Sequence, residues 1–390
     1  MSALDLDRAR ETFESSTDFT IGLEEEFAIV NPRTLELEHR FEDVHAACQG
    51  DEVLAEAAAG ELIASEIEIR SGRSETFADA IVAQQDRRNR LFALVEGRGL
   101  GLGATGTHPW ADYLDQRIID TPHYNRLEEE LGWVAQRNNT WSLHVHMGIR
   151  GADRAIAVCD WLRELLPMLL AVSANSPFLD RRDTGLQTVR TEIFTRTFPR
   201  CGVPSPFADW DTYEDFVRTL ERTGTAVEST QLWWSVRPHH SFGTVEVRIC
   251  DAQTRGDEAF ALAGLIAACI AQTALEYDKH GYDGAGPPLA DREIEENLWR
   301  AIRHGMGGSF LDFRADGGAE LVEARQALEK LLAWVEPARS QLGIRIDLPA
   351  RNGAQRARDS LASGAAIEDV YREAIGETKR TYTADVGARS

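Results

Sequence analysis

The sequence predicts an α+β protein built around one mainly antiparallel β-sheet with helices packed on one of its faces. Five segments alternate apolar and polar side chains with the period of two that is typical of half-buried strands. They are residues 21–30, 62–70, 141–150, 231–237 and 244–250. Long apolar stretches such as residues 257–278 favour helices that cover the apolar face. Because each strand carries Glu, His or Arg on its other face, we expect the sheet to present a basin of charged groups.

The first strand, residues 21–30 (IGLEEEFAIV), carries three consecutive glutamates. Alternation places Glu24 and Glu26 on the polar face and leaves Glu25 on the apolar face, where it can form a structural ion pair. Adjacent carboxylates repel each other and are costly to bury unless a cation neutralises them. Taken alone, such a run would be typical of a solvated surface strand. The recurrence of the pattern in the other strands favours a cation-binding site instead.

The other strands bring further polar side chains to the same face. These are Glu66, Glu68 and Arg70 in the second strand, Ser142, His144, His146 and Arg150 in the third, Gln231 and Arg237 in the fourth, and Glu246, Arg248 and Cys250 in the fifth. A single buried histidine or a single Glu–Arg pair is more often structural than functional. Several strands that share one such face make an active site the better interpretation.

Turn residues, caps and apolar periodicity predict the remaining elements. The Asn31-Pro32 turn predicts a hairpin with a return strand at residues 35–40, and Pro167 predicts a kink in the helix of residues 153–173. Other helices are expected at residues 42–59, 74–96, 207–222, 257–278, 291–304 and within 319–340. We predict a single catalytic domain over residues 1–390, with flexible ends at about residues 1–19 and 378–390.

Two further segments need a choice between a functional and a structural interpretation. Residues 175–210 form a long, arginine-rich connection, either an active-site loop with partial helical structure or a solvated basic surface loop. Residues 99–109 (GLGLGATGTHP) contain the pattern GxGxxG, which marks a dinucleotide site only between a strand and a helix. Here a helix precedes the glycines and none follows, so no such site is predicted. His108 is either a substrate contact or a capped structural histidine.

Composition excludes several classes of protein. The net charge of −22 and the pI near 4.9 argue against nucleic acid or an anionic membrane as a partner. The five cysteines form no CxxC pair, so neither a disulfide framework nor a zinc knuckle is expected. The N-terminus is too polar for a signal peptide, and the most apolar stretch, residues 259–274, is too short for a membrane span. We therefore expect a cytoplasmic protein.

The polar face supplies the donors of a magnesium or manganese site. Four carboxylates (Glu24, Glu26, Glu68 and Glu246) and one imidazole form an oxygen-rich set, whereas zinc prefers a small cage of nitrogen or sulfur ligands. So many carboxylates would serve two or three ions. Such ions bind nucleotide phosphates, and a nearby Arg248 could stabilise charge during phosphoryl transfer. Because the sequence has no P-loop or kinase motifs, the sheet and its metals would hold the nucleotide.

Together these motifs resemble the glutamate–cysteine ligase type 2 family, carboxylate–amine ligases related to glutamine synthetase. They are GxExE at 22–26, IEIRSG at 67–72, GTHP at 106–109, LHVHMG at 143–148, NSPF at 175–178, DTG at 183–185, VEVR at 245–248 and ENLWR at 296–300. The resemblance implies the glutamine synthetase-like catalytic fold, a curved antiparallel sheet that forms a funnel backed by helices. It also implies that ATP phosphorylates the side-chain carboxylate of glutamate and that an amine then displaces phosphate.

The resemblance also assigns roles to individual residues. The metal ligands it implies are Glu24, Glu26, Glu68, His144 and Glu246. It places His146 near the ATP phosphates and makes Arg237 and Arg248 phosphate-binding and catalytic residues. The proton of the amine could pass to Glu66 or Glu68. Glu66 could instead bind a metal or the substrate amine.

The acceptor and the assembly are less closely defined. The resemblance suggests cysteine as the amine, giving γ-glutamylcysteine, although no residue specifies a thiol pocket. Open alternatives are the same chemistry with another amine or carboxylate, a nucleotide-binding relative without turnover, and a metal-dependent phosphate ester hydrolase. We expect small-molecule substrates, and a homodimer formed across exposed sheet edges. The roles of Arg300 and of the arginines in residues 175–210 stay open.

Overall fold

A sheet with only antiparallel pairings lies at the centre of this computed structural model, which describes residues 4–285, 288–314 and 318–384. The strands of the described chain are β1 Ile21–Val30, β2 Ala58–Ala59, β3 Glu66–Arg70, β4 Gly101–Gly103, β5 Ser142–Gly148, β6 Phe178–Leu179, β7 Arg182–Asp183, β8 Cys201–Gly202, β9 Trp233–Trp234, β10 Val236–His239, β11 Thr244–Asp251, β12 Ser309–Asp312 and β13 Glu320–Glu323. The central sheet has the order β10-β11-β5-β1-β3-β2, and β4 also pairs with β1. The remaining strands form the two-stranded pairs β6–β7, β8–β9 and β12–β13.

Helices cover the apolar face of this sheet. Those of the described chain are α1 Leu6–Glu14, α2 Phe41–Cys48, α3 Leu54–Ala57, α4 Phe77–Glu96, α5 Pro122–Leu131, α6 Trp133–Gln136, α7 Ala152–Leu162, α8 Leu166–Ser173, α9 Val189–Thr197, α10 Trp210–Arg222, α11 Gly256–His280, α12 Asp291–His304, α13 Ala324–Trp334, α14 Glu336–Gln341, α15 Gly353–Ala362 and α16 Ile367–Tyr382. Helix α11 packs on β5, and α8 packs on β11. By length and composition α11 could cross a membrane, but 89% of its apolar window is buried within the protein, as in a core helix.

Strand alternation separates the core from the polar face. On β5, Leu143, Val145 and Met147 are at most 2% exposed and belong to the largest hydrophobic cluster, together with residues of α7, α8 and α11. On the opposite face of the same strand lie Ser142, His144 and His146. The predicted α+β architecture, a mainly antiparallel sheet backed by helices, is confirmed.

The register of the sheet places the predicted polar residues side by side. Between β1 and β3, Glu24 pairs with Arg70 and Glu26 pairs with Glu68. Between β1 and β5, Glu24 pairs with His144, and between β5 and β11, His146 pairs with Glu246. A shift of one residue in any of these pairings would turn the glutamates into the core, so the apolar alternation fixes the register.

Both chain ends differ from the prediction. Instead of a flexible N-terminal segment, residues 6–14 form helix α1, whose Leu6 and Phe13 are buried in the main core. At the other end, α16 continues to Tyr382, which is 2% exposed and stacks on Phe92. The predicted flexible tail therefore overlaps a packed helix over residues 378–382. Residues 1–3 and 385–390 lie outside the described part of the chain.

Several predicted elements are divided or displaced. The return strand expected at residues 35–40 contributes only an isolated bridge between Leu37 and Val30. The helix expected at residues 42–59 is split into α2 and α3, because the Asp51 side chain accepts backbone hydrogen bonds that start a new helix. The helix expected at residues 153–173 is divided into α7 and α8. Pro167 lies in the first turn of α8, just after the interruption. The helical region predicted from residue 319 begins with strand β13.

The strand predicted at residues 231–237 begins only at Trp233 and is interrupted at Ser235, whose N–H donates to Gly202 O. Cys250 was expected on the polar face but is fully buried in the core. A register shift after Val247 inserts an extra residue in β11 and reverses the alternation beyond it.

Residues 175–210 are more ordered than a single irregular loop, because they contain β6, β7, α9 and β8. The outer strands of the central sheet are short: β2 has two residues, and β10 has four, among them Pro238. Short edges with proline offer few free N–H groups for pairing with another chain. The homodimer expected across sheet edges stays a prediction.

Candidate active site

Glu24 lies at the centre of the polar face, between two histidines of β5. Its Oε2 atom is 3.1 Å from Nδ1 of His144, and its Oε1 atom is 3.4 Å from Nε2 of His146. The register produces this arrangement, because Glu24 and His144 are direct partners across antiparallel strands and His146 is the next residue of β5 on the same face.

Three sets of carboxylate and imidazole groups could each hold a divalent cation. In each set, one ligand atom per residue lies within 4.8 Å of the others. The sets are Glu24, Glu68 and His144; Glu24, His146 and Glu246; and Glu26, Glu61 and Glu68. Glu24 and Glu68 each belong to two sets, so the three positions form one connected cluster. The cluster brings together all five residues predicted to bind metal and adds His146 and Glu61.

The carboxylates on the β3 side of this cluster repel one another. Burial and the neighbouring Glu26 raise the pKa of Glu61 to about 7. Burial and Glu26 raise the pKa of Glu66 well above its ordinary value, and burial and Glu24 do the same for Glu68. Both Glu66 and Glu68 are 1% exposed, and within the described chain Oε2 of Glu66 has no hydrogen-bond partner. A bound cation would relieve this repulsion, so the donor set fits magnesium or manganese.

Arginines neutralise the carboxylate on the opposite side. Nε of Arg237 donates to Oε2 of Glu246 at 2.7 Å, and Nη1 of Arg248 donates to Oε1 of the same carboxylate. Burial opposes ionisation of Glu246, but the two guanidinium groups outweigh it and hold the pKa well below its usual range. Glu246 therefore carries its charge, and both arginines line the cavity above it.

The two histidines of β5 differ in their protonation. Burial and the charge of Arg248 lower the pKa of His144, so its imidazole is neutral at pH 7 and in the form that binds metals. Burial also opposes protonation of His146, but Glu246 and Glu24 outweigh it and raise the pKa of this side chain. In the described chain, Nε2 of His146 makes no regular hydrogen bond but lies 3.4 Å from Oε1 of Glu24 and 3.7 Å from Oε1 of Glu246, the two carboxylates that favour its protonated form.

A cavity of about 260 Å³ opens above the cluster. Its walls combine charged groups with aromatic rings, among them Glu24, Glu61, Arg190, Arg237, Arg248, Tyr124, Phe194, Phe198, Trp233, His239 and Phe242. Phe242 is 55% exposed and stacks on His239, with ring centroids 4.2 Å apart and ring planes inclined by 8°. A larger cleft of about 870 Å³ lies between α15, α16 and the start of α11, but none of the three ligand sets faces it.

Three residues whose roles the sequence left open make structural contacts. His108 is fully buried, its Nε2 atom lies 2.8 Å from a backbone carbonyl, and burial lowers its pKa to about 4. Glu25 forms a buried ion pair with Arg88 beneath the sheet. Arg300 donates to Glu296 on its own helix at 3.1 Å. Glu66, whose role was also open, belongs to none of the three sets, but burial and the charges of Glu26, Glu61 and Glu68 raise its pKa.

Sequence reasoning missed Glu61 and did not single out Arg190. Glu61 follows β2 in a bend where side chains do not alternate, so no periodic signal could have found it. Arg190 was one of several arginines in a long connection, yet it is 5% exposed and lines the cavity. Only partial helical structure is expected from the sequence in residues 175–210, and such an expectation does not say which strand a helix faces.

Comparison with known proteins identifies related sequences over most of the chain. A family model described as glutamate–cysteine ligase family 2 matches residues 20–382. The chain is 37% identical over 366 residues to "Putative glutamate--cysteine ligase 2-3" of Rubrobacter xylanophilus, covering 92% of this chain and 96% of that protein. It is 38% identical over 331 residues to "Putative glutamate--cysteine ligase 2" of Sorangium cellulosum, covering 85% and 86%.

A solved structure agrees at the level of the fold. The crystal structure of glutamate–cysteine ligase from Francisella tularensis in complex with AMP superposes with a TM-score of 0.64 at 11% identity, covering 96% of this chain and 91% of that one. The fold and the site thus define an ATP-dependent ligase that forms an amide bond between a carboxylate and an amine. More specifically, the chain belongs to glutamate–cysteine ligase family 2.

Proposed function

We propose that the protein phosphorylates the side-chain carboxylate of glutamate with ATP and joins the resulting acyl group to an amine, with cysteine as the first candidate. One observation carries this proposal. Three ligand sets overlap because Glu24 and Glu68 each belong to two of them, and Arg237 and Arg248 line the cavity above these sets. The names of the curated relatives support glutamate and cysteine as substrates.

The metal-binding residues in this proposal are the five predicted from sequence together with Glu61, which are all the residues of the three sets except His146. Divalent cations bound there would offset the carboxylate charge and bind the phosphates of ATP. His144 is suited to a ligand position because it is neutral. His146 is suited to contact phosphate because Glu24 and Glu246 favour its protonated form.

The first step builds charge that the arginines can stabilise. An oxygen of the substrate carboxylate bonds to the γ-phosphorus of ATP while the bond to the β–γ bridging oxygen breaks and ADP leaves. Negative charge spreads over the transferred phosphoryl group during this step. The guanidinium of Arg248 is held beside Glu246 and lines the cavity, and Arg237 is held in the same way. We assign both residues to this phosphoryl group.

The second step needs an acceptor for a proton. The amine nitrogen bonds to the acyl carbon, the bond from that carbon to the phosphate oxygen breaks, and inorganic phosphate leaves. Glu68 accepts a hydrogen bond from Arg70 at 2.5 Å and belongs to two ligand sets, which favours its role as a metal ligand. Glu66 belongs to none of the three sets and has an unpartnered oxygen in the described chain, so it is the better candidate to take the proton.

The stacked pair of Phe242 and His239 is our candidate contact for the nucleotide base. His239 lies two residues from Arg237 on β10, and its ring is 5.3 Å from that of His146. Burial lowers the pKa of His239 to about 3, so its neutral ring can take part in a stack of flat groups. The phosphates of a nucleotide stacked here would extend toward Arg237 and Arg248.

Release of phosphate from ATP, measured with glutamate and a panel of amines that includes cysteine, tests the proposal. We expect stimulation only when glutamate and an amine are both present, and a γ-glutamyl amide in the product mixture. If another amine replaces cysteine, the ligase chemistry stands and the assignment of the acceptor changes. Phosphate release that is independent of any amine would favour a hydrolase, and nucleotide binding without turnover would favour a non-catalytic relative.

A further inference from the structure

A β-bulge in β11 determines where Arg248 lies. Strand β11 pairs regularly with β5 up to Val247, which faces Val145, and the next pairing joins Cys250 to Leu143. Two residues of β11 therefore stand opposite one residue of β5. Such an insertion bends the strand and leaves backbone groups without their ladder partners. Ile249 and Cys250 both turn into the core, and Arg248 stays on the side of the cavity.

Arg190 supplies hydrogen bonds at this bulge. Its Nη1 donates to Ile249 O at 3.0 Å, and its Nη2 lies 3.4 Å from Arg248 O. From the other side, the N–H of Arg248 donates to Ser235 O at 2.8 Å. Because buried carbonyl groups need a donor, the guanidinium of Arg190 stabilises a backbone path that regular pairing does not support. The flat fork of the guanidinium suits two neighbouring carbonyls.

Arg190 is itself held in place by a buried network. It is the second residue of α9, and its own N–H lies 3.2 Å from Oγ of Ser176. Asp251, which is fully buried at the end of β11, accepts from Ser176 at 2.7 Å and from Thr188 at 3.0 Å. Oδ1 of Asp251 lies 3.8 Å from Nη1 of Arg190. The start of α9 and the end of β11 are thus tied together on both sides of the bulge.

The side chain of Arg248 depends on this backbone. Its Nη1 contacts Oε1 of Glu246 and lies 3.3 Å from Nδ1 of His144, so it points along the row of ligand residues. A shift of the bulge would move the guanidinium relative to both partners. Displacements of about 1 Å at a catalytic group can cost on the order of a hundredfold in rate.

We propose that Arg190 is a positioning residue that holds the β11 bulge and thereby directs Arg248 at the transferred phosphoryl group. The role of Arg248 in this inference rests on the proposed function. The contact of Arg190 with the bulge does not depend on it. Lysine cannot replace Arg190, because one ammonium on a flexible stem does not present two parallel donors. In this proposal Arg190 acts through the strand and not through contact with the reacting atoms.

A double-mutant cycle separates this role from direct substrate binding. Arg190→Met should lower kcat for amine-dependent phosphate release roughly 10- to 100-fold and leave KM for glutamate within about twofold. In an Arg248→Met background the same substitution should lower kcat by less than about threefold, because the effect of residue 190 on the rate depends on Arg248. Equal losses in both backgrounds, or a rise in KM for glutamate in place of the fall in kcat, would overturn the proposal.

The matched control is Arg196→Lys on the same helix, whose side chain is 53% exposed and pairs with Glu295. It should leave both kinetic constants unchanged. Thermal unfolding of each variant checks that the fold is retained.

Hydrogen exchange of the peptide spanning residues 244–251 needs neither turnover nor ligand. We expect Arg190→Met to accelerate exchange in this peptide and Arg196→Lys to leave it unchanged. If the wild-type protein binds magnesium ATP without amine-dependent turnover, the proposed function fails. The cycle can then be measured on the Kd for magnesium ATP, where coupling between residues 190 and 248 is still expected. Unchanged exchange in Arg190→Met would contradict the positioning role whatever the activity.

Discussion

Glu24 of β1 and His144 of β5 are direct partners across the central sheet, and Oε2 of Glu24 lies 3.1 Å from Nδ1 of His144. The pair stands where two of the three ligand sets meet, since Glu24 belongs to both. Its position follows from strand alternation, which brings one carboxylate and one imidazole to the same face at the same level of the sheet.

Replacing Glu24 should remove activity without unfolding the protein. Glu24→Gln keeps the size of the side chain but removes the charge that two cation positions share, so we expect kcat to fall at least roughly 100-fold. The magnesium concentration needed for half-maximal rate should also rise. The control is Glu75→Gln, an exposed glutamate paired with Arg73 at the surface. Steady-state kinetics over a magnesium titration measures both effects, and a rate close to wild type would exclude a central role for Glu24.

Divalent cations should stabilise the folded protein, because the carboxylate cluster repels itself without them. At a cation concentration 100 times the Kd, binding to the native state adds about 2.7 kcal/mol to the free energy of unfolding. Thermal unfolding with magnesium, manganese or a chelator measures this. Glu61→Gln should raise the melting temperature in chelator and reduce the increase caused by the metal. A metal-induced increase of full size in this variant would place Glu61 outside the binding site.

The raised pKa of Glu61 predicts a pH dependence of stability in the metal-free protein. Its folded-state pKa is about 7 against an ordinary value of 4.5, so between these values the folded state retains a proton that the unfolded state has lost. The contribution of Glu61 is therefore complete below about pH 4.5 and is lost as the pH rises to about 7, with a slope of at most about 1.4 kcal/mol per pH unit.

Urea unfolding in chelator between about pH 5 and pH 8 follows this loss. Glu61→Gln should make the dependence flatter, since an amide has no proton to release. An identical slope in the variant and the wild-type protein would show that another group controls it.

The stack of Phe242 on His239 predicts a defect that is specific to ATP. Phe242→Ala removes the exposed ring, and because stacking on a base contributes about 1–3 kcal/mol, KM for ATP should rise roughly 5- to 150-fold while KM for glutamate stays constant. Phe242→Tyr should restore most of the affinity. A parallel rise in KM for both substrates would indicate a general disturbance of the cavity.

The ion pair of Glu25 and Arg88 should matter for stability and not for catalysis. Arg88 is fully buried and donates to both carboxylate oxygens of Glu25 on the core side of β1. Arg88→Met leaves the buried carboxylate of Glu25 with a hydrogen bond from Gln84 but without a cation, which costs about 3–5 kcal/mol. Chemical denaturation should show this loss, and the KM values of the folded fraction should not change. A change in KM or a drop in kcat without a loss of stability would contradict the structural role of the Glu25–Arg88 pair.

The polar face of the sheet could be predicted because a period of two leaves a clear signal in residues 21–30, 141–150 and 244–250. The prediction failed where a local irregularity breaks that period. Cys250 was assigned to the wrong face because one extra residue in β11 reverses the alternation, and a bulge has no fixed sequence pattern. Glu61 approaches the cluster from a bend, so its place depends on contacts between segments that are distant from any strand signal.

Arg190 shows a second limit of prediction from the sequence, which is that contacts between distant segments leave no local pattern. The contact of Arg190 with the carbonyls of residues 248 and 249 joins positions almost sixty residues apart in the chain. Helix propensity carries no information about such a contact. The polar composition of the N-terminus led to the prediction of a flexible segment at about residues 1–19. The polar residues of α1 instead lie on its outer face, and Leu6 and Phe13 pack inward at helical spacing.

In the proposed function, the substrate carboxylate is phosphorylated before the amide forms. Glutamate labelled with a heavy oxygen isotope in its side-chain carboxylate tests this directly, when it is incubated with ATP, magnesium and the amine that supports turnover. We expect one labelled oxygen in inorganic phosphate for each amide formed, because the carbon–oxygen bond of the acyl phosphate breaks. Inorganic phosphate that contains no label, while amide accumulates, would contradict it.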